Sequence, residues 1–219
     1  EAARYDGMAI RQASFELVEA VIKGRVVLPP HVSATSFIWP LVEHYKKPEY
    51  RARALAVYTD AINNTQDGEF LDRLLQSAPA VKELPMRQQL KAAVKGNNEA
   101  RRKVFSKYLR NFVTTWPAIK RDKAIVEGLR KFAYEDPCQE YVEGYAALGA
   151  ADLKHYLRAI FKDNKLDIAV RSLALGKLNR LFPNGVFEVS TDSKKGRLLF
   201  IVKNISKERI EFPFNSLHD

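Results

Sequence analysis

Between Lys91 and Lys131 the chain carries twelve cations against three acids, Glu99, Asp122 and Glu127, so this window accounts for +9 of a net charge of +10 in 219 residues. The chemistry open to such a cluster is electrostatic: a localised basic surface attracts a polyanion or an acidic protein. Inside the window, residues 96–116 (GNNEARRKVFSKYLRNFVTTW) set on a helix at about 100° per residue place Lys103, Lys107 and Arg110 on one face, at i, i+4 and i+7. Arg101 and Arg102 lie just before them, and Lys120, Arg121 and Lys123 follow on the next segment. These eight residues are the candidates for binding nucleic acid or an acidic partner. With no base-reading pattern beside them, the expected contact is to the phosphate backbone and independent of sequence. The plainer reading of the same residues is a solvated helical face.

Catalytic chemistry has no such focus. There is no phosphate-binding P-loop, dinucleotide glycine motif, zinc-protease helix or nucleophile elbow. His31, His44, His155 and His218 stand singly, away from any Cys or carboxylate at metal-ligand spacing. Cys138 follows a proline near a helix start, where a thiolate is stabilised, yet no local base accompanies it. Acids around it (Glu135, Asp136, Glu140 and Glu143) form a small patch that can balance the basic helices. The expectation is therefore a protein that is not an enzyme and needs no cofactor, metal or small-molecule substrate. A site assembled from distant residues around His44 or His155 is the route by which it would be one.

Composition narrows the class further. A chain that is 46% hydrophobic and 28% charged is ordinary for a folded protein, and no apolar run approaches the roughly 20 residues that span a bilayer. One cysteine forms no intramolecular disulfide, which points to a reducing compartment, cytosol or nucleus. The opening EAARYDGM has neither an apolar signal core nor an initiating Met and reads as a piece of a longer chain.

The elements that must position the cations are helical. On the face opposite Lys103, Lys107 and Arg110 lie Val104, Phe105, Tyr108, Leu109, Phe112, Val113 and Trp116, a wide core-facing stripe. Asn97 or Asn98 caps the start. Before this helix, segments 9–23 (stopped by Gly24), 31–46 (kinked or broken at Pro40), 49–63, 66–77 and 86–95 carry apolar residues at helical spacing. After it come 118–134, with Pro117 at its first turn, 138–148, 150–162 and 166–182. About ten helices on short turns predict an all-α fold, a bundle or an α-solenoid. YRARALAVYTDAI, EARRKVFSKYLRNF and IAVRSLALGKLNRLF each set an Arg near the start of an apolar helix, as the inner helix of a HEAT-type repeat does, so a HEAT/armadillo-like solenoid is expected over residues 1–183. From residue 184 the texture changes: VFEVS, GRLLFIVK and RIEFPF predict two or three strands of a small antiparallel β-meander, an appendage over 184–219 that must pack on the last helices.

The succession of segments resembles the late HEAT repeats of the cohesin-loader family, the adherins or Nipped-B-like proteins. RQASFELVEAVIKGRVVLPPHV followed by PLVEHYKKPEYRARALAVYTDAI is similar to that family's helix, short "QGLVxP"-like link and Arg/Ala-rich helix, with a departure at Arg25 and one extra residue before Pro29. VKGNNEARRKVFSKYLRNF is similar to its "RGNRxxRRxFLxxLLxxF" helix, matched at Gly96, Asn97, Arg101, Arg102, Phe105, Leu109 and Phe112. GLRKFAYEDPCQEYVEGYAAL, DIAVRSLALGKLNRLF and KNISKERIEF follow in the family's order. Adherins are far longer, so this chain corresponds to their C-terminal portion, and a strand-like tail is not a feature of the family. The resemblance implies a non-enzymatic nuclear scaffold of the chromosome cycle that engages cohesin's ATPase heads and kleisin and holds double-stranded DNA, promoting loading on chromatin. It carries over no catalytic residue. The alternative expectation is a helical-repeat adaptor whose basic face docks an acidic protein, nucleic acid being incidental.

Overall fold

A computed structural model of the chain describes residues 13–182, 187–194 and 197–204. These form eleven α-helices: α1 (Phe15–Ile22), α2 (Ile38–Tyr45), α3 (Arg51–Asn64), α4 (Gly68–Ser77), α5 (Met86–Lys95), α6 (Glu99–Lys107), α7 (Leu109–Thr115), α8 (Lys123–Glu135), α9 (Gln139–Leu148), α10 (Leu153–Lys162) and α11 (Ile168–Leu181). Short 3₁₀ turns lie at Ala34–Phe37, Ala78–Ala80 and Pro117–Arg121. Two strands, β1 (Phe187–Lys194) and β2 (Arg197–Asn204), pair antiparallel with Phe187 opposite Asn204 and Lys194 opposite Arg197. The all-α character of the body is plain. A three-stranded meander packed on the last helices is not shown, because the RIEFPF segment lies outside the described residues.

Local chemistry sets the helix limits. Ser14, Asp67, Asn98 and Asp167 cap α1, α4, α6 and α11, each side-chain oxygen accepting a backbone N–H of the first turn. Gly24 ends α1 at φ +66°, a left-handed conformation that favours glycine. There the Gly24 N–H donates to the Val21 carbonyl and the Arg25 N–H to that of Ala20, which satisfies two of the helix's last acceptors.

Three expectations shift. Residues 31–33 stay outside any helix, 34–37 form the 3₁₀ turn, and Pro40 is the third residue of α2, where the missing N–H has no helical acceptor to lose, so it begins rather than breaks a helix. Pro117 opens a 3₁₀ turn, and α8 starts only at Lys123. The helix expected to run unbroken to Trp116 divides at Tyr108 (φ −94°, ψ 2°) into α6 and α7. Lys107 and Tyr108 both bond the carboxylate of Asp72, at 2.7 and 2.9 Å. Successive residues of a regular helix point about 100° apart, so the irregular turn lets neighbours converge on one acceptor.

The described residues fall into two compact units, one ending at Ile125 and the next beginning at Val126, so the boundary lies inside α8. Residues 183–186, around the boundary expected from the sequence, lie outside the described ones. In the first unit α1 packs on α2 and α3, α4 on α3 and α6, and α5 on α6. Phe105, Leu109, Phe112 and Val113 are buried, and the Phe112 ring meets those of Phe105, Tyr108 and Trp116 at centroid distances of 6.0 to 6.4 Å. In the second unit α10 packs on α11, and α9 on both. Truncating a fully buried aromatic removes its transfer free energy and leaves a cavity, so Phe112→Ala is expected to lower the unfolding free energy by about 3–5 kcal/mol, measured as a shift of the guanidinium midpoint at unchanged m-value.

Candidate polyanion interface

The eight cations singled out in the sequence meet three different fates. Arg101 and Arg102, in the first turn of α6, turn inward. The Arg101 guanidinium donates to the carbonyls of Ile62 and Thr65 at the end of α3, and burial lowers its pKa. Arg102 is 7% exposed and donates to the Gly96 carbonyl at the end of α5, at 2.7 Å. The last carbonyls of a helix have no acceptor role within it and carry the negative end of its dipole, so a guanidinium there supplies both donors and charge. Arg51, first residue of α3, does the same to Tyr45 at the end of α2 (3.4 Å), and Arg171, in the first turn of α11, to Phe161 near the end of α10 (3.1 Å). The Arg-first look shared by the three segments is thus a capping device.

Lys103 and Lys107 hold carboxylates. Lys103 pairs with Glu99 at 2.6 Å. Lys107 pairs with Asp72, whose hydrogen bond raises the lysine's pKa. Exposed pairs of this kind contribute little stability, but each cancels a charge on the expected stripe.

Arg110, Lys120, Arg121 and Lys123 are exposed and have no hydrogen-bond or ion-pair partner through their side chains among the described residues. The fold adds two cations that the helical spacing did not select, Arg87 and Lys91 on α5, which converge on Asp122. Asp122 is 4% exposed; burial acts to raise its pKa, but Lys91 (2.8 Å) and Arg87 together outweigh it and hold the carboxyl at about 2. A hollow of about 300 Å³ lined by Arg87, Pro117, Ala118 and Arg121 opens beside this cluster. Nothing in the spacing of Arg87, Lys91 and Asp122 announces their meeting, which requires α5 to lie against the turn before α8.

The other residues with chemical potential are placed as follows. His44 is buried, its Nε2 at 3.1 Å from the Ala13 carbonyl and its ring edge-on to Phe15 and Tyr50. His155 is exposed. Cys138 is half-buried at the start of α9. Glu143, one of the four acids noted near Cys138, pairs with Lys177 within the second unit. That unit also holds a polar cluster the sequence did not suggest: Tyr134 and Tyr145 donate to the two oxygens of Asp152, and Arg130 pairs with it at 3.0 Å. Burial pushes both tyrosines up, and the Asp152 carboxylate beside them adds to it.

Comparison with protein-family models, with curated proteins and with solved structures finds no match to this chain. The fold and the site define an all-α protein with a solvent-facing cationic surface on its first unit.

Two measurements follow. A carboxyl whose pKa is depressed on folding stabilises fully above its unfolded value near 4 and loses that contribution as pH falls through its folded value, about 2 for Asp122. Stability should therefore decline between about pH 4 and 2, and Asp122→Asn should be less stable at pH 7 and flatter across that window. Arg101→Ala, which strips donors from the end of α3, is expected to lower the unfolding free energy by about 1–3 kcal/mol while leaving any affinity for a polyanion unchanged, as read by thermal unfolding and by titration with a DNA duplex.

Proposed function

We propose that this protein is a non-enzymatic helical scaffold, HEAT-like in its repeat, that holds the DNA backbone on the cationic surface of its first unit. The carrying observation is that Arg110, Lys120, Arg121 and Lys123 are exposed and uncommitted, whereas Arg101, Arg102, Lys103 and Lys107 are taken by carbonyls and carboxylates. Affinity then comes from counterions released when these cations reach phosphates. The recurrence of one capping arginine at the start of α3, α6 and α11 supports the repeat reading. The resemblance to the C-terminal portion of cohesin loaders supplies the setting: a nuclear protein that engages cohesin's ATPase heads and kleisin and promotes loading on chromatin.

A second reading is an adaptor for an acidic protein. The hollow between Arg87 and Arg121 favours it, because a recess of about 300 Å³ receives a carboxylate side chain more readily than a duplex backbone.

The deciding experiment is a salt series with a random-sequence duplex, comparing wild type with Arg110→Glu/Lys120→Glu/Lys123→Glu. The log–log slope is expected to shrink by about 0.9 for each phosphate that the variant no longer neutralises, with no change in thermal stability. Lys103→Gln/Lys107→Gln should leave it nearly as in wild type. An unchanged slope in the triple variant overturns the DNA reading.

A further inference from the structure

The first unit carries a second, larger hollow of about 680 Å³, formed by the end of α1, the 3₁₀ turn at Ala34–Phe37, the end of α3 and the start of α4. Its floor is apolar, made by the buried side chains of Val21, Ile22, Val57 and Phe70. Four charged side chains line it, and two are already committed. Lys23 donates to Glu19 at 2.7 Å, and an Asp67 oxygen accepts the N–H groups of Glu69 and Phe70. The other two, Arg25 and Asp60, are exposed and have no hydrogen-bond or ion-pair partner among the described residues. Next to Arg25 the chain holds Val26 and Val27 out to solvent, Val27 at 98% exposure, so apolar surface continues past the hollow.

An apolar floor flanked by one free cation and one free anion selects its occupant by charge. A nucleic acid would meet Asp60 as a like charge, and an uncharged small molecule would leave both groups unused. A segment bearing an acid and a base on either side of a large apolar side chain satisfies all three features, with opposite charges setting its register. Val26 and Val27, exposed in the chain next to Arg25, add apolar surface that a peptide can cover beyond the residue seated in the hollow.

We propose that this hollow docks a peptide segment of a partner protein, in which a leucine-sized side chain enters over Val57 and Phe70, an acidic residue meets Arg25 and a basic residue meets Asp60. This site is independent of the cationic surface and does not rest on the DNA reading.

The test uses three capped hexapeptides, Gly-Asp-Leu-Leu-Lys-Gly and its Asp/Asp and Lys/Lys counterparts, titrated into the ¹⁵N-labelled chain while following the amides of Gly24, Ala34 and Ala61. The mixed-charge peptide is expected to bind about tenfold more tightly than either counterpart, the effect of roughly one well-placed charge pair. Arg25→Glu should move the preference to the Lys/Lys peptide, and Asp60→Lys to the Asp/Asp peptide. Both positions are exposed, so folding is not at stake, and Ala61→Trp, filling the hollow from α3, should block all three. Arg110→Glu/Lys120→Glu/Lys123→Glu should leave peptide binding as it is. The proposal is overturned if no peptide shifts those amides, if the two charge variants fail to redirect the preference, or if N-acetyl-leucine amide binds as tightly as the mixed hexapeptide.

Discussion

The constraint on which this structure depends is the set of unpaired carbonyls at the ends of its helices. Each α-helix leaves its last acceptors without intrahelical donors, and burying them unpartnered is unfavourable. Here the donors come from the starts of later helices: Arg51 to the end of α2, Arg101 to the end of α3, Arg102 to the end of α5 and Arg171 to the end of α10. A guanidinium suits the task because it is permanently charged and presents several N–H groups in one plane. Each contact couples where one helix stops to where another begins.

The same economy of partners shapes the middle of the first unit. Asp72 gathers Lys107 and Tyr108, and the helix gives up regular geometry at Tyr108 to let both reach it. The aromatic stripe survives the break, since Phe105 lies on α6 and Phe112 on α7 with their rings 6.3 Å apart. Asp122 similarly draws Arg87 and Lys91 to the turn before α8. Asp72 and Asp122 thus each tie their own element to side chains of another.

These commitments change what net charge means for function. A cation count treats Arg101 and Lys120 alike, yet one guanidinium is turned into the protein and the other charge faces solvent. The uncommitted cationic surface is smaller than the sequence excess: Lys103 and Lys107 are paired, and Arg110 of that stripe remains with Lys120, Arg121 and Lys123. The hollow beside Arg25 and Asp60 differs in kind: balanced charge over an apolar floor discriminates among peptides, while a field of like charge gathers phosphate without regard to sequence. The two proposals together give one unit surfaces for two partners of different chemistry.

By itself the sequence determined the all-α body, the buried face of residues 104–116, a cap at Asn97 or Asn98 and the stop at Gly24, because these follow from periodicity and from interactions spanning no more than about one helical turn. It also carried the Arg-first look of three helices, but not its purpose. Tertiary structure alone decided which cations face solvent, since Arg101 finds its acceptors 36 and 39 residues away and Lys107 finds Asp72 at a separation of 35. The same holds for Arg87 with Asp122, for Tyr145 with Asp152 and for the hollow that unites Arg25 with Asp60. A charge's availability depends on what lies opposite it in space, and only the packing of distant helices brings that partner into place.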